Sequence, residues 1–192
     1  MKYDFNKGDY PVVKYSEPKM NGFGLARAAY CENYKLKDVP DSGKIYMYRI
    51  FKDGEPCCDN LFFAKEFELE NIEKELDNNR FVMLNIVVNI TRNHEGTKYV
   101  MPTPCVFDTM CCNVIVVLED HSQYYKVYGN ILWDSRNHLV VYLPSMEIIK
   151  VFPDFSKVSA ETDDFIVVEK VNEPVSFYKV DINTGNVKNM LE

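Results

Sequence analysis

The residue types in this chain that are suited to nucleophilic or metal chemistry are six cysteines and three histidines. The cysteines are Cys31, Cys57, Cys58, Cys105, Cys111 and Cys112, and the histidines are His94, His121 and His138. A Cys/His hydrolase needs a thiolate, a base within hydrogen-bond reach and a third group that orients the base. Cys111 or Cys112 with His121 or His138, and Asp108 or Asp120 as the orienting carboxylate, is the set these positions allow. Its walls would be the turns at His94-Glu95, Asp108 to Cys112 and Glu119 to His121. The local context argues the other way. No cysteine stands at a glycine-flanked helix start, where a thiol is activated.

Cys57-Cys58 and Cys111-Cys112 are adjacent pairs. Structural zinc sites use cysteines separated by intervening residues, because neighbouring side chains diverge. The spacing therefore predicts no metal centre, and small buried hydrophobes in a reducing compartment are the plainer reading. Neighbours on a strand point to opposite faces, so one cysteine of each pair is expected in the core. The chain has no Gly-x-Ser-x-Gly elbow, no dinucleotide fingerprint, no His-Glu-x-x-His and no phosphate loop. No cofactor is expected. Glu119-Asp120 and Asp163-Asp164 fall at strand ends, where turns place solvated acids.

Charge narrows the partners. Twenty-two basic residues against 29 acidic ones leave a net charge of −7, and the Lys and Arg residues are scattered. Nucleic-acid binding draws most of its affinity from a dense basic face, which is missing, and an anionic membrane is a poor partner for the same reason. Met1 to Tyr10 has no apolar stretch behind its charges, and the longest aliphatic run is Val114 to Leu118, so the expectation is a cytoplasmic protein. Aromatic residues make up 14% of the chain. Tyrosine and tryptophan join contact area to a polar tip, which suits interfaces. Tyr46 and Tyr48 on one strand face, Tyr124, and Trp133, the lone tryptophan, are the candidate contact residues. Packing between sheet and helix is the plainer use of such rings.

The elements that must position these groups are mostly strands. Length suggests one domain over 1–192: an irregular arm over 1–43, a strand–helix–hairpin part over 44–112 and a β-meander over 113–192. Phe23 to Tyr30 has the composition for two helical turns, or for an arm wrapping the core. Lys44 to Phe51 reads as a strand, stopped by a tight turn at Asp53-Gly54. From 61 to 78, Leu69, Ile72 and Leu76 recur at helical spacing among six acids, which predicts an acidic helix capped by Asp59 or Asn60. Its acids read as a solvated face, with a docking surface for a basic partner as the functional alternative. Val82, Leu84, Ile86, Val88 and Ile90 alternate with wetter positions, which predicts a half-buried strand. A hairpin turn at Arg92 to Thr97 returns a strand that Pro102 and Pro104 are expected to interrupt.

The C-terminal half echoes itself. Asn113 to Tyr128, Asn137 to Phe152 and Asp164 to Asp181 each read as an aliphatic strand, a polar turn and a strand ending in Lys-Val. Three hairpins in a meander follow from that pattern. The segment Phe177 to Met190, FYKVDINTGNVKNM, is similar to the strand-D-x-Asn-Thr-Gly-x-Val ending of many propeller repeats. The copies start too close together for whole blades, which need about 40 residues each.

The fold expected is α+β, mainly antiparallel, with one acidic helix near 61–78 and a C-terminal β-meander of repeated hairpins. The function expected is a non-enzymatic protein-binding module, such as an inhibitor, an immunity-type protein or an adaptor, acting through a sheet face or edge. Its partner would be another protein, or a second copy paired edge to edge. A small-ligand binder or Cys/His hydrolase with a loop-assembled site, built from Cys111, Cys112, His121, His138 and Asp120, is the alternative.

Overall fold

A computed structural model describes residues 20–31, 34–36, 45–58, 61–65, 70–92, 98–119, 122–171 and 174–191. Antiparallel sheet dominates, with a single α-helix among the described residues. No helix of the described residues is long and apolar enough to cross a membrane. Length suggests one domain, whereas the contacts divide the chain into two compact units, Met1–Asp120 and His121–Glu192.

The first unit holds β1 (Phe23–Cys31), β2 (Tyr34–Leu36), β3 (Ile45–Lys52), β4 (Glu55–Pro56), β5 (Phe63–Lys65), α1 (Glu70–Asn78), β6 (Phe81–Arg92), β7 (Lys98–Asp108) and β8 (Asn113–Val117). They form an eight-stranded sheet in the order β1-β3-β5-β6-β7-β2, with β4 added to β3 and β8 to β7. Among the described residues, only the short β2–β7 pairing is parallel.

β1 overturns the helical reading of Phe23 to Tyr30 and places regular structure inside the expected irregular arm. Helix preference separates residues by only tenths of a kcal/mol. Pairing β1 along the whole of β3 and burying Phe23 and Leu25 in the core outweighs it. The helix is also shorter than its pattern. Phe63 and Ala64, at the front of that segment, are buried in β5 between β3 and β6, and α1 starts at Glu70. The expected cap at Asp59 or Asn60, and Leu69 with it, lie outside the described residues. Ile72 and Leu76 do face the core, at 2% and 1% exposure.

Two of the helix acids have work beyond solvation. Glu73 Oε1 accepts from Leu25 N at 3.2 Å, and Asp77 Oδ1 accepts from Phe23 N at 3.2 Å. β1 is the last strand on its side of the sheet. The helix thus takes up donors on an edge that is otherwise a template for another strand.

The expected core face of β6 is present where its side chains are described, with Val82, Leu84 and Ile86 in the core, but the other face is not uniformly wetter, since Phe81 and Val87 are buried as well. β7 runs through Pro102 and Pro104, against expectation. The carbonyl of Pro104 accepts from Leu118 N at 2.8 Å, on the side away from β6. A residue's N and O share one side of a strand, so the donor missing at Pro104, and at Pro102 two residues earlier, costs the β6–β7 ladder nothing. The turn after β3 is the expected one: Asp53 and Gly54 have φ of 50° and 84°.

The second unit begins with a 3-10 turn (Ser122–Tyr124) and holds β9 (Tyr125–Tyr128), β10 (Ile131–Asp134), β11 (Leu139–Tyr142), β12 (Glu147–Val151), β13 (Ser156–Glu161), β14 (Phe165–Lys170), β15 (Ser176–Asp181) and β16 (Val187–Asn189). These make two four-stranded meanders, β12-β11-β10-β9 and β13-β14-β15-β16. One core joins them, with Ile131, Trp133, Val140 and Phe152 from the first against Ile166, Val168, Val180 and Ile182 of the second half.

The threefold echo is not a structural repeat. Its second copy is the β11–β12 hairpin and its third the β14–β15 hairpin, which occupy different places in their sheets. Its first copy is no hairpin: β8 pairs with β7 in the first unit and β9 with β10 in the second. Aliphatic strand composition recurs wherever a strand is half buried, so similar strings reach different partners.

Candidate functional site

The two adjacent cysteine pairs lie in turns rather than strands, and the sheet brings those turns together. Cys57 follows β4, held by its N–H to Ile50 O at 2.8 Å, and is buried. Cys58 next to it takes a left-handed backbone, φ 53°. The second turn joins β7 to β8. Asp108 starts it, buried, accepting Met110 N at 2.9 Å and paired with Arg80 at 3.3 Å. Thr109 N donates to Arg80 O at 2.8 Å, and its hydroxyl to Asn79 O at 3.0 Å, tying the turn to the end of α1. Cys112 closes the turn, also left-handed at φ 52°.

The two turns touch through sulfur. Cys58 Sγ lies 3.3 Å from Cys112 O and 3.4 Å from Asn113 Oδ1. Cys112 Sγ donates to Thr109 O at 3.6 Å, and Lys52 Nζ reaches the same oxygen at 3.3 Å. Burial, and then the Cys112 thiol, push Cys57 well above the usual thiol range, while Lys52 pulls weakly the other way. Cys105, fully buried behind them, is pushed up to about 12, first by burial and then by Cys58. Cys111 is exposed, its Sγ 3.7 Å from Asp108 O. All five described cysteines are thiols, none bonded in a disulfide.

A buried thiol held above its usual range is a poor nucleophile at neutral pH. Of the alternative enzyme site, Cys111 and Cys112 share the β7–β8 turn. His138 belongs to the second unit, where its Nδ1 lies 3.1 Å from Ser156 O. Asp120 and His121, like His94, lie outside the described residues. Asp108, the other orienting carboxylate, is committed to Arg80 and to its own turn. Among the described residues no group of three or more His, Cys, Asp or Glu is arranged to hold a metal.

The four aromatic contact candidates separate. Tyr48 is fully buried, stacked on Phe63 with centroids 5.8 Å apart, and its hydroxyl has no partner among the described residues. Burial first, then the nearby Cys105 and Glu75, raise its pKa far above the ordinary phenol. Trp133 is 5% exposed and meets Phe152 edge to face at 5.8 Å. Neither presents a surface: the plainer reading of these two rings is the one the fold adopts. Tyr124 is half-buried, and its carbonyl accepts both Ser135 N at 2.8 Å and Ser135 Oγ at 3.0 Å. Tyr46 stands in β3 opposite Tyr30 of β1 and Lys65 of β5.

Exposed apolar side chains gather instead around β12. Ile148 and Val151 are 60% and 61% exposed, and the turns flanking the strand carry Met146 at 42% and Phe155 at 67%. β12 is an end strand, hydrogen-bonded to β11 alone among the described residues. Its register slips opposite Val140 and Val141, which makes Ile149 the extra residue of a bulge. The bulge turns Ile149 toward the core and leaves Ile148 and Val151 outward. Met146 and Phe155 both sit at positive φ, 57° and 66°, a conformation that bulky side chains avoid. The readable signal was the unalternating string Glu-Ile-Ile-Lys-Val, with apolar residues at both parities. No protein-family model matches the chain, and no curated protein or solved structure shows significant similarity to it.

Proposed function

We propose that the protein is a non-enzymatic protein-binding module, of the inhibitor, immunity-type or adaptor kind, and that it binds through the β12 edge. The observation that carries this reading is the apolar character of that edge. An end strand offers unpaired N–H and C=O groups to an incoming strand, and proteins with nothing to bind there blunt such edges with charge or cover. The β1 edge has such cover, from Glu73 and Asp77. The β12 edge instead exposes Ile148 and Val151, beside Phe155 in a strained turn. Strained backbone is retained where function requires it.

The occupant is an extended segment of another protein that adds a fifth strand to the β9–β12 sheet. Main-chain bonds would supply affinity, and apolar side chains packed on Ile148 and Val151 would supply register. A second copy of this chain, paired β12 to β12, is the homodimeric form of the same contact.

The test uses the full chain and an I148K/V151K variant as paired baits in extract from the native host. A partner retained by the natural chain and lost by the variant supports the reading. Equal recovery by both places the contact elsewhere.

A further inference from the structure

We propose that, when the chain is alone, its β12 edge is closed by a second copy of the same chain, with Ile148 of each copy opposite Val151 of the other. The proposal rests on the reading of β12 as a binding edge and adds a defined antiparallel register.

Backbone direction comes first. Leu143 N donates to Asn130 O at 2.8 Å, so Leu143, and Val141 two residues earlier, turn their N–H and C=O toward β10. Ile148 lies opposite Val141 and therefore finds no main-chain partner on that side. Phe152 N donates to His138 O at 2.7 Å, so Phe152 faces β11 and Val151, one residue before it, faces away. Ile148 and Val151 thus turn their main-chain groups to the open side of the strand. They are also its two exposed apolar side chains, at 60% and 61%. The bulge at Ile149 brings both onto one face despite their odd spacing.

Self-complementarity selects the register. Ile148 against Ile148, or Val151 against Val151, pairs only one end of each strand. Ile148 against Val151 pairs both ends, and a dyad between Ile149 and Lys150 repeats the contact. Both strands carry the bulge, so equal lengths of chain separate the paired positions and the ladder stays in step. Each pair exchanges both N–H···O bonds, and Ile148 packs against Val151 at each end.

Charge agrees with this register. Glu147 and Lys150 stand opposite Tyr142 and Val140, which both face the core, so the two charges share a face. Ser145 Oγ donates to Glu147 at 2.9 Å, and Lys150 Nζ lies 5.4 Å from the Tyr178 ring centroid; neither charge has an ion pair among the described residues. Across the dyad, Glu147 falls on the diagonal from Lys150 of the second copy, within reach of long side chains. The symmetry makes that contact twice.

The full chain is followed by sedimentation velocity at rising concentration, up to about 1 mM. The expected result is a shift from monomer to dimer in the natural chain that is absent in I148K/V151K. E147K and K150E each weaken it about fivefold, and E147K/K150E regains it. Mixed I148C and V151C chains, once oxidised, give a disulfide between those two positions in a peptide map; I148C alone gives none at 148. Trp133 fluorescence identifies any variant with an altered core, and the natural chain's series stands without the variants. A natural chain that stays monomeric, a dimer that survives I148K/V151K, or a charge swap no better than either single change overturns the proposal. The binding-edge reading fails separately, when I148K/V151K captures a partner as well as the natural chain does.

Discussion

Asp134 gives the sharpest quantitative expectation, because its carboxylate is buried and three donors of one turn converge on it. It ends β10 and is 6% exposed. One oxygen accepts Arg136 N at 2.9 Å and Asn137 N at 3.0 Å, and the other accepts Asn137 Nδ2 at 2.8 Å. Asp134→Ala leaves two backbone donors and an amide without an acceptor in the β10–β11 turn. Hydrogen bonds to a charged group contribute about 1.5–3 kcal/mol each, and three on one carboxylate do not add in full. The expected loss is about 3 kcal/mol, which lowers Tm by roughly 15 °C in a unit of this size. The lone tryptophan, Trp133, sits one residue away and is buried, so its fluorescence during urea unfolding reports on the second unit alone. Asp181→Ala is the internal control. Asp181 accepts Asn183 N at 3.0 Å and Thr184 N at 2.8 Å in the matching turn of β15–β16, with its carboxylate in solvent. The smaller loss belongs to Asp181. A loss at Asp134 under about 1 kcal/mol, or one no larger than at Asp181, would refute the reasoning that burial multiplies the value of these turn bonds.

Further outcomes follow from the same geometry. Tyr48→Phe keeps the stack on Phe63 and removes a buried hydroxyl with no partner among the described residues, so the first unit gains about 1 kcal/mol in chemical denaturation; a loss of that size contradicts it. Backbone donors at Thr184, and then its hydroxyl, hold the Asp181 carboxyl below its ordinary 3.8. A depressed folded-state value means that its stabilising effect is complete above 3.8 and lost as pH falls through the folded midpoint. NMR titration of the Asp181 carboxyl carbon reads that midpoint, and a midpoint at or above 3.8 removes the cause. Replacing Glu73 and Asp77 by Ala uncovers the β1 edge, so light scattering rises more steeply with protein concentration than for the natural chain.

What could be read from sequence was local, and what could not was a matter of partners. The Asp53-Gly54 turn and the period-two face of β6 follow from backbone sterics and burial, and both are present. The predominance of antiparallel strands and the C-terminal meander were readable for the same reason. Phe23 to Tyr30 has a helical composition yet forms a strand, because strand partners outweigh the helix preference of Ala, Leu and Arg. Phe63 and Ala64 were drawn into the helix because a three-residue strand shows no periodicity of its own. Asn113 to Tyr128 resembles its neighbours in composition, yet its two strands join different sheets. The cysteine pairs were identified as unusual, but nothing local says which turns meet. Residue type alone marks Tyr48 and Trp133 as contact candidates, and burial decides that question only in three dimensions.

The central claim is that β12 is a binding edge, and charge placed on it is the most direct test. Titration calorimetry of the captured partner, or sedimentation if the chain pairs with itself, is compared between the natural protein and the I148K/V151K variant. The account predicts at least a tenfold weaker association, about 1.4 kcal/mol, with the meander core unchanged by Trp133 fluorescence. Association of equal strength in a variant with an intact core would contradict it.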